Sequence, residues 1–412
     1  MVLDGFDLVV LGTVIPTLIK SQELGFDAVG ATFAATISLV GVGLGALFIA
    51  PLSDRLGRRN LLVACVTWFS IFTIAVVFAT NVAWFSTFRL LAGLGLGACL
   101  PAALAYMNDY APAGTAGKST TRTMTGYHVG AVATAFLALM VIPSWRTMFV
   151  VGGLAGLVLV PFLWFKLPET LPPVIHIPAV AKSPAATQVR AEKAAATAPA
   201  PAAEERASFR DLGRKPYPLI AAGVAVASFM GLLLVYGLNT WLPQLMASAG
   251  YSLNAGLALL LVLNVGAVVG LLIAGVLADR HGTKRIVLLW FGLSAVFLAA
   301  LSIQIQNEVV LYAAVFVTGV FVFSSQVLVY AWVSQLFPVR LRGTALGFAA
   351  GVGRLGAILG PAVTGALVAA GIAYPWGFYV FAAAAVLAVL ALAFVPQTVA
   401  ATSRTGASVG HS

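Results

Sequence analysis

The sequence predicts an all-α integral membrane protein whose twelve helices form two pseudo-symmetric six-helix bundles. Charged residues make up 9% of the 412 residues and hydrophobic residues 61%, whereas soluble domains contain about 25% charged residues. Apolar runs of roughly 20 residues, the length that an α-helix needs to cross a bilayer, recur along the chain. A soluble fold of this length has too little interior to bury them.

A charged turn between two apolar runs occurs twice. The first copy, Gly45–Arg59, reads GALFIAPLSDRLGRR, and the second, Gly270–Arg285, reads GLLIAGVLADRHGTKR. In both copies the acid follows the leading glycine at the same distance, at Asp54 and at Asp279. A repeated turn at this separation predicts two similar halves, each woven through the membrane.

The apolar runs give twelve spans, six before and six after a polar interruption. We expect the spans near residues 1–19, 28–52, 60–80, 84–107, 122–142, 146–166, 216–246, 254–278, 284–304, 308–336, 343–369 and 374–395. This divides the chain into a first bundle at 1–166 and a second at 216–396. Residues 167–215, rich in Ala and Pro, are predicted to form a cytoplasmic, largely disordered linker. Residues 397–412 are predicted to be a polar cytoplasmic tail.

Lys and Arg are distributed unequally between the two sides of the predicted membrane. Of the 23, Arg89 and Arg354 lie within spans and only Lys20 and Arg146 lie on one side, which leaves 19 on the other. Loops rich in Lys and Arg are cytoplasmic. We therefore predict cytoplasmic termini, a plasma (inner) membrane location and a lipid bilayer around the chain. The net charge of +10 is explained by topology and not by a nucleic-acid-binding face.

Cofactor, metal and enzyme chemistry are not indicated. Cys65 and Cys99 lie inside apolar runs without a CxxC pair, so neither a disulfide framework nor a metal site is predicted. Gly351–Gly356 (GVGRLG) matches the dinucleotide pattern GxGxxG, but it lies within a long apolar run with no preceding strand, where glycines allow close helix packing. No nucleophile–base pair is apparent, which argues against an enzyme.

The first span is short. Only twelve residues separate Asp7 from Lys20, fewer than the roughly 20 that a bilayer requires. We expect the chain to begin inside helix 1; the alternative is a short helix that thins the bilayer locally.

Ionisable side chains within spans are costly and require a reason, and the first two are acids. Asp4 and Asp7 lie three residues apart on one helix face. Two buried carboxylates this close hold one proton more tightly than a free Asp, so the pair is a candidate for proton coupling. The alternative is that both are solvated at a frayed cytoplasmic end.

Two arginines lie within spans. Arg354, in helix 11, stays charged at accessible pH and is a candidate to bind a substrate carboxylate bidentately. Its alternative is a salt bridge to a helix 1 Asp. Arg89 opens helix 4 and is a second candidate for substrate binding, and its alternative is snorkelling to the interface.

Several other residues are candidates for substrate binding or gating. His128 in helix 5 is the pseudo-symmetric mate of Arg354, because a proline (Pro112, Pro338) precedes each by 16 residues; it either contacts substrate or packs between helices. A ring-binding wall is predicted in helix 7 and cytoplasmic gate contacts in the loops. The wall comprises Tyr236, Asn239 and Trp241. The gate candidates are Asp54, Arg55, Arg58, Asp109, Asp279 and Arg280. Asp54 and Asp279 are expected to face helix N-termini, where the helix dipole favours an anion. Asp109 either makes a gate contact or is solvated.

The loops DRLGRR and DRHGTKR resemble the signature loop of the major facilitator superfamily. DGFD (residues 4–7), with residues 89–101, 236–246 and 337–361, resembles the aromatic acid:proton symporters of that superfamily. The similarity covers nearly the whole chain except the linker and tail, and it implies the twelve-helix major facilitator fold. It also implies that Asp4, Asp7, Arg89 and Arg354 match positions needed for transport, with Asp54 as the gate acid. Two departures are the missing first half of helix 1 and His128, where family members have a small or uncharged residue.

The sequence therefore predicts a proton-coupled secondary transporter that imports benzoate-like or hydroxybenzoate-like acids by alternating access, as a monomer without cofactor. The alternatives are a proton-driven exporter of a drug or metabolite and, from another class, a transporter-like membrane sensor.

Overall fold

The computed structural model describes residues 1–110, 116–168 and 209–396; the linker core and the tail lie outside them. This part of the chain contains twelve long helices and no strand, which confirms the predicted class. Eleven of the described helices are long and apolar enough to cross a membrane, and α5 has the shorter apolar stretch Gly126–Val141. The helices are α1 Val2–Ser21, α2 Ala28–Leu44, α3 Arg58–Ala75, α4 Val82–Tyr110, α5 Ala116–Val141, α6 Trp145–Lys166, α7 Pro218–Ser248, α8 Leu253–His281, α9 Thr283–Ala300, α10 Glu308–Leu336, α11 Val339–Ala369 and α12 Ala373–Ala393.

The first two spans, Val2–Ser21 and Ala28–Leu52, lie where the sequence predicts them. Helix α1 has 20 residues and includes both Asp4 and Asp7. Helix α2 passes through a π-helical turn at Gly45–Ile49 and a 3₁₀ turn at Ala50–Leu52 before the short helix Ser53–Leu56. Another short helix, Phe209–Leu212, precedes α7.

The two bundles meet along three helix pairs. Helix α1 packs against α7, α2 against α11, and α5 against α8. When the two halves are exchanged, each helix of α1–α6 takes the place of the helix six positions later. The α2–α11 pair then becomes the α8–α5 pair, and the α1–α7 pair maps onto itself. The contacts between bundles therefore obey the same pseudo-symmetry as the repeated turn.

Glycines bring corresponding helices together in each half. A Cβ atom added at Gly41 or Gly45 of α2 would collide with backbone carbonyls of α4, and one at Gly266 or Gly270 of α8 with those of α10. Backbones approach this closely only where no side chain intervenes. The close-packing role predicted for the glycines of Gly351–Gly356 is confirmed at Gly356, where an added Cβ would collide with the carbonyl of Phe229, and is wrong at Gly351, where it meets open space.

The repeated turn has one conformation in both halves. Gly57 and Gly282 each have φ 89°, with ψ 139° and 131°, a left-handed region that glycine adopts without steric cost. The basic residue two positions later ties down the last helix of its bundle. Arg59 donates to the carbonyl of Leu167 after α6 (3.4 Å), and Lys284 donates to the carbonyls of Ala393 (3.0 Å) and Val395 (2.6 Å) at the end of α12.

We expect Lys284→Met to lower the free energy of unfolding by about 1–2 kcal/mol, because an ammonium on the final carbonyls of a helix satisfies orphan acceptors and complements the helix dipole. Arg285→Met is the matched control, since Arg285 is exposed on the same turn. Thermal unfolding of both variants in detergent checks this. Equal unfolding temperatures would mean that the cap contributes nothing.

At the opposite face, the turn between α1 and α2 is held to the start of α6. Trp145 Nε1 donates to Glu23 Oε2 at 2.8 Å, and Arg146 forms an ion pair with Oε1 of the same carboxylate. The indole hydrogen bond, together with the guanidinium, lowers the pKa of Glu23 from its ordinary value of 4.5. The carboxylate is therefore the form that holds this turn.

A depressed folded-state pKa contributes stability above pH 4.5 that is lost as the pH falls through the lower, folded-state value. At neutral pH we expect Glu23→Gln to lower the free energy of unfolding by no more than about 1 kcal/mol, because the ion pair is so exposed. The variant should therefore unfold at a lower temperature than the unmodified protein. The difference should shrink as the pH falls below 4.5 and vanish once the pH is below the folded-state pKa of Glu23. Glu308→Gln, at an exposed acid, is the control; a difference that persists in acid would contradict this account.

Candidate functional site

A small polar cavity lies between the two bundles. Helices α1, α2, α4 and α5 of the first bundle line it together with α7 and α11 of the second. Its polar lining residues are Asp4, Asp7, Ser38, Arg89, Tyr127, Tyr236, Thr240 and Arg354. The structure thus brings four of the ionisable residues predicted from sequence to one place, on the shared boundary of the two halves.

Arg89 and Asp7 form a buried ion pair on the first-bundle side of the cavity. Arg89 Nη1 lies 2.6 Å from Asp7 Oδ1, and the two residues are 0% and 7% exposed. Arg89 Nη2 also donates to Ser38 Oγ at 3.0 Å, and the guanidinium carbon lies 5.9 Å from the ring centre of Phe149. The alternative that Arg89 snorkels to the interface is wrong, because the side chain is fully enclosed by α1, α2 and α6.

Asp4 lies one helical turn before Asp7 and is held differently. It is 9% exposed, and its Oδ2 has no hydrogen-bond partner in the described part of the chain; the amino nitrogen of Met1 lies 3.6 Å away. The predicted pair of like carboxylates is therefore divided. Arg89 pairs with Asp7, whereas Asp4 forms no ion pair with another side chain in the described part of the chain.

Arg354 lies at the middle of α11 and faces the cavity from the second bundle. Its Nη1 donates to the hydroxyl of Tyr236 on α7 at 3.1 Å. The alternative of a salt bridge between Arg354 and a helix 1 Asp does not describe this structure, since Arg89 occupies that role at Asp7. Arg354 therefore presents a half-buried cation to the cavity, next to a phenol.

The cavity is narrow in this conformation. Its volume is about 40 Å³, whereas pockets for small organic ligands measure roughly 300–1,000 Å³. A few water molecules fit such a space, because one water needs about 10–15 Å³. Any organic ligand requires the bundles to move apart.

Of the three residues predicted as a ring-binding wall, only Tyr236 lines the cavity. Asn239 is 0% exposed and accepts from Asn264 Nδ2 of α8 at 3.0 Å, and Trp241 is 0% exposed and donates to the carbonyl of Pro361 at 2.9 Å. The reason is helical phase: Tyr236 and Thr240 share the cavity face, whereas the two others point towards α8 and α11. Asn239 and Trp241 are packing residues in this structure.

His128 also lies outside the cavity lining, although its neighbour Tyr127 belongs to it. The imidazole is 7% exposed and makes edge contacts with the rings of Tyr127 (5.3 Å between centroids) and Phe323 (6.2 Å). Because Phe323 belongs to α10, His128 is packed between the bundles. The structure places it as the packing alternative describes.

The predicted gate residues are described unevenly. The side chains of Asp54, Arg55 and Asp109 lie outside the described part of the structure. Asp279 and Arg280 are exposed at the end of α8, and Arg58 is half-buried at the start of α3. The three described residues, Arg58, Asp279 and Arg280, do not line the central cavity, and the gating role of all six stays a prediction.

Sequence reasoning missed Ser38 and Thr240 as members of the cavity. Both are small hydroxyl residues in long apolar helices, where such residues more often bond their own backbone. The signal that finds Ser38 is its partner, because a buried arginine needs more acceptors than one carboxylate supplies. That partner is visible only once α2 is packed against α4.

The chain is similar in sequence to a known protein family and to several named transporters. Residues 1–271 and 259–410 match the sequence profile of the Major Facilitator Superfamily. The chain is 35% identical to a gentisate transporter of Corynebacterium glutamicum over 398 residues, covering 95% of this chain and 84% of the relative. It is 31% identical to a benzoate transport protein of Acinetobacter baylyi, covering 96% and 86%, and 32% identical to a gallate transporter of Pseudomonas putida, covering 94% and 88%.

Solved structures share the fold at low identity. A D-xylose-proton symporter superposes with a TM-score of 0.74 at 18% identity, covering 96% of this chain and 95% of the other. The inward-open conformation of the xylose transporter XylE from E. coli superposes with a TM-score of 0.73 at 18% identity, covering 96% and 94%.

The buried ion pair generates a test of stability. We expect Arg89→Gln to lower the free energy of unfolding by about 3–5 kcal/mol, because it leaves the Asp7 carboxylate buried without a partner. The double variant Asp7→Asn/Arg89→Gln should recover most of that loss, since neither charge remains. Thermal or denaturant unfolding measures both.

Arg146→Gln, which breaks the half-exposed pair with Glu23, is the control and should cost at most about 1 kcal/mol. A double variant no more stable than Arg89→Gln alone would show that the two charges do not compensate each other.

Proposed function

The chain belongs to the Major Facilitator Superfamily, and from this premise we propose that it imports aromatic carboxylates together with protons. Membership makes the chain a multi-pass membrane transporter and not an enzyme. The substrate class, the proton and the direction are our proposal. The relatives named for gentisate, benzoate and gallate support the substrate class, because each of these compounds is a benzene ring that carries one carboxylate.

The charges around the central cavity support proton coupling. Among the side chains that line it, Asp4 and Asp7 carry two negative charges when both are ionised, and Arg89 and Arg354 carry two positive ones. These four charges sum to zero; the amino group of Met1, 3.6 Å from Asp4, is a further positive charge beside the cavity and is not part of its lining. Adding an organic anion alone, or a proton alone, leaves one uncompensated charge in a buried site, which is costly. Adding both restores neutrality, so each favours the binding of the other.

The proposed roles follow from what each side chain already contacts. Arg89 is committed to Asp7, so Asp4 is the acid that takes up and releases the proton. Among the described residues, Arg354 donates a hydrogen bond to the phenol of Tyr236 and forms no ion pair. In this proposal it receives the substrate carboxylate, and Tyr236 borders the aromatic ring of the substrate. Ser38 and Phe149 hold Arg89 in position.

Alternating access is supported by the geometry between the bundles. The substrate site is on their boundary, and α2–α11 and α5–α8 are symmetry-related contacts on which one bundle can rock against the other. At one end, an added Cβ at Gly365 of α11 would collide with Thr32 of α2, so the helices are closely apposed there. We propose that this closed end is extracellular and that the face bearing the α2–α3 turn is cytoplasmic, as the distribution of Lys and Arg requires.

The observation that carries the proposal is that Asp4 and Arg354, from opposite bundles, line one cavity, and neither forms an ion pair with a side chain in the described part of the chain. In proteoliposomes, we expect Arg354→Gln to lower uptake and counterflow of benzoate about 10- to 100-fold, because a charge-assisted hydrogen bond contributes about 1.5–3 kcal/mol. We expect Asp4→Asn to retain counterflow, which moves no net proton, and to lose uptake driven by a pH gradient.

Arg285→Gln on the exposed turn is the control and should transport normally. Uptake that remains driven by pH in Asp4→Asn would refute the proton assignment. Outward movement of benzoate under an inward proton gradient would indicate an exporter. Saturable binding without counterflow would indicate a sensor.

A further inference from the structure

Gln326 of α10 is a buried amide that the proposed mechanism does not use. The residue is 4% exposed, and neither its Oε1 nor its Nε2 has a hydrogen-bond partner among the described residues. An amide that loses water without gaining a partner is costly, so buried amides in folded proteins are nearly always bonded. Both polar ends of Gln326 are therefore available to a group that the described part of the chain does not supply.

Gln326 lies on the face of α10 that is turned towards the first bundle. Phe323, Gln326 and Tyr330 follow the i, i+3, i+7 spacing of one helix face. Phe323 makes an edge contact with the ring of His128 on α5, with 6.2 Å between the centroids. Because α5 belongs to the first bundle, this face of α10 is part of the boundary between the bundles, where the central cavity also lies.

Gln326 and Arg354 flank the same turn of α7. A Cβ atom added at Gly231 would collide with Gln326 Oε1, so the missing side chain at this glycine makes room for the amide. A Cβ atom added at Gly353, the residue before Arg354, would lie 2.8 Å from Leu232 Cδ1. The amide on α10 and the guanidinium on α11 are therefore at about the same level of the second bundle.

A phenol lies between the amide and the guanidinium. Tyr330, one turn after Gln326, is within electrostatic range of Arg354. Its hydroxyl also lies near the Gln326 amide, without the geometry of a hydrogen bond. Neither Gln326 nor Tyr330 lines the central cavity in this conformation. Because an organic ligand requires the bundles to move apart, their separation at this boundary would add the polar face of α10 to the lining.

The side chains on this face favour a neutral ligand group that both donates and accepts. The Gln326 amide offers N–H donors at Nε2 and an acceptor at Oε1. A phenolic hydroxyl is a donor and an acceptor at once, so it can bond the amide and the Tyr330 hydroxyl together. A second carboxylate would need a cation to offset its lost hydration, and Phe323, Gln326 and Tyr330 carry none.

We propose that Gln326 binds a ring hydroxyl of the transported aromatic acid, so that the protein prefers hydroxybenzoates to benzoate. This rests on the proposed function, in which Arg354 receives the carboxylate of the same molecule, and it narrows the substrate class. Arg354 binds any benzoate through its carboxylate, whereas Gln326 distinguishes the acids that carry a hydroxyl from those that do not.

Direct binding tests the assignment. The dissociation constants of benzoate, 3-hydroxybenzoate and 4-hydroxybenzoate are measured by isothermal titration of the purified full-length chain in detergent. We expect at least one hydroxybenzoate to bind about 3- to 10-fold more tightly than benzoate, which corresponds to one neutral hydrogen bond. In Gln326→Leu this preference should disappear, while the dissociation constant of benzoate changes little.

Gln335→Leu is the matched control, because it makes the same exchange at an exposed position of α10 and should keep the preference. Equal affinity of the unmodified protein for benzoate and for both hydroxybenzoates overturns the proposal. A preference that survives in Gln326→Leu also overturns it.

Gly231→Ala is a second variant, which keeps the side chain of Gln326. The added methyl group occupies the place of Oε1 and displaces the amide, and alanine is favourable in a helix interior. We expect the preference for the hydroxylated acid to fall while the affinity for benzoate is kept. An undiminished preference in a folded Gly231→Ala protein would contradict the proposal, which requires the amide at this glycine.

Counterflow in proteoliposomes separates this inference from the proposed function. Normal counterflow of benzoate and of a hydroxybenzoate, with the same preference in Gln326→Leu as in the unmodified protein, would remove the hydroxyl assignment alone. Binding of a hydroxybenzoate that depends on Gln326, in a protein that moves neither acid, would remove the proposed transport alone.

Discussion

The ion pair between Arg89 and Asp7 is the constraint on which the rest of the site depends. Two full charges are withdrawn from water at the depth of the bilayer, where only close mutual approach and further hydrogen bonds make burial tolerable. Arg89 lies 2.6 Å from the carboxylate and also bonds Ser38. This fixes α1, α2 and α4 against one another. It also determines which charges are left over for function.

The charges left over come from opposite bundles. Asp4 lies on α1 and Arg354 on α11, and both border one cavity. In the mechanism that we propose, neutralising the cavity couples the relative position of the bundles to its occupants, because each bundle contributes one of these charges. A site built wholly within one bundle would bind the same ligands without sensing how the halves are arranged. The location on the boundary is therefore as important as the residue types.

The two halves are alike in framework and unlike in chemistry. The turns at Gly57 and Gly282 have the same conformation, and each is followed by a basic residue that caps the last helix of its bundle. At the corresponding positions of α5 and α11, however, His128 packs against Phe323 while Arg354 faces the cavity. The framework repeats because both bundles require the same helix packing and capping. Of the two corresponding positions, only Arg354 presents a cation to the cavity, whereas His128 packs between helices.

The sequence by itself determined the class, the twelve helices, the duplication and the ionisable residues of the site. These features are local: a bilayer requires apolar helices of a minimum length, and a charged side chain within such a helix is costly wherever it occurs. It did not determine which charges pair. Arg89 and Asp7 are 82 positions apart. Only the tertiary fold of the first bundle brings Arg89 of α4 to Asp7 of α1, and it leaves Asp4 without an ion pair to another side chain in the described part of the chain. The phase of α7, which turns Tyr236 inward and Asn239 and Trp241 away, was likewise decided by its neighbours, because a helix that is apolar all round carries no signal for which side faces the cavity.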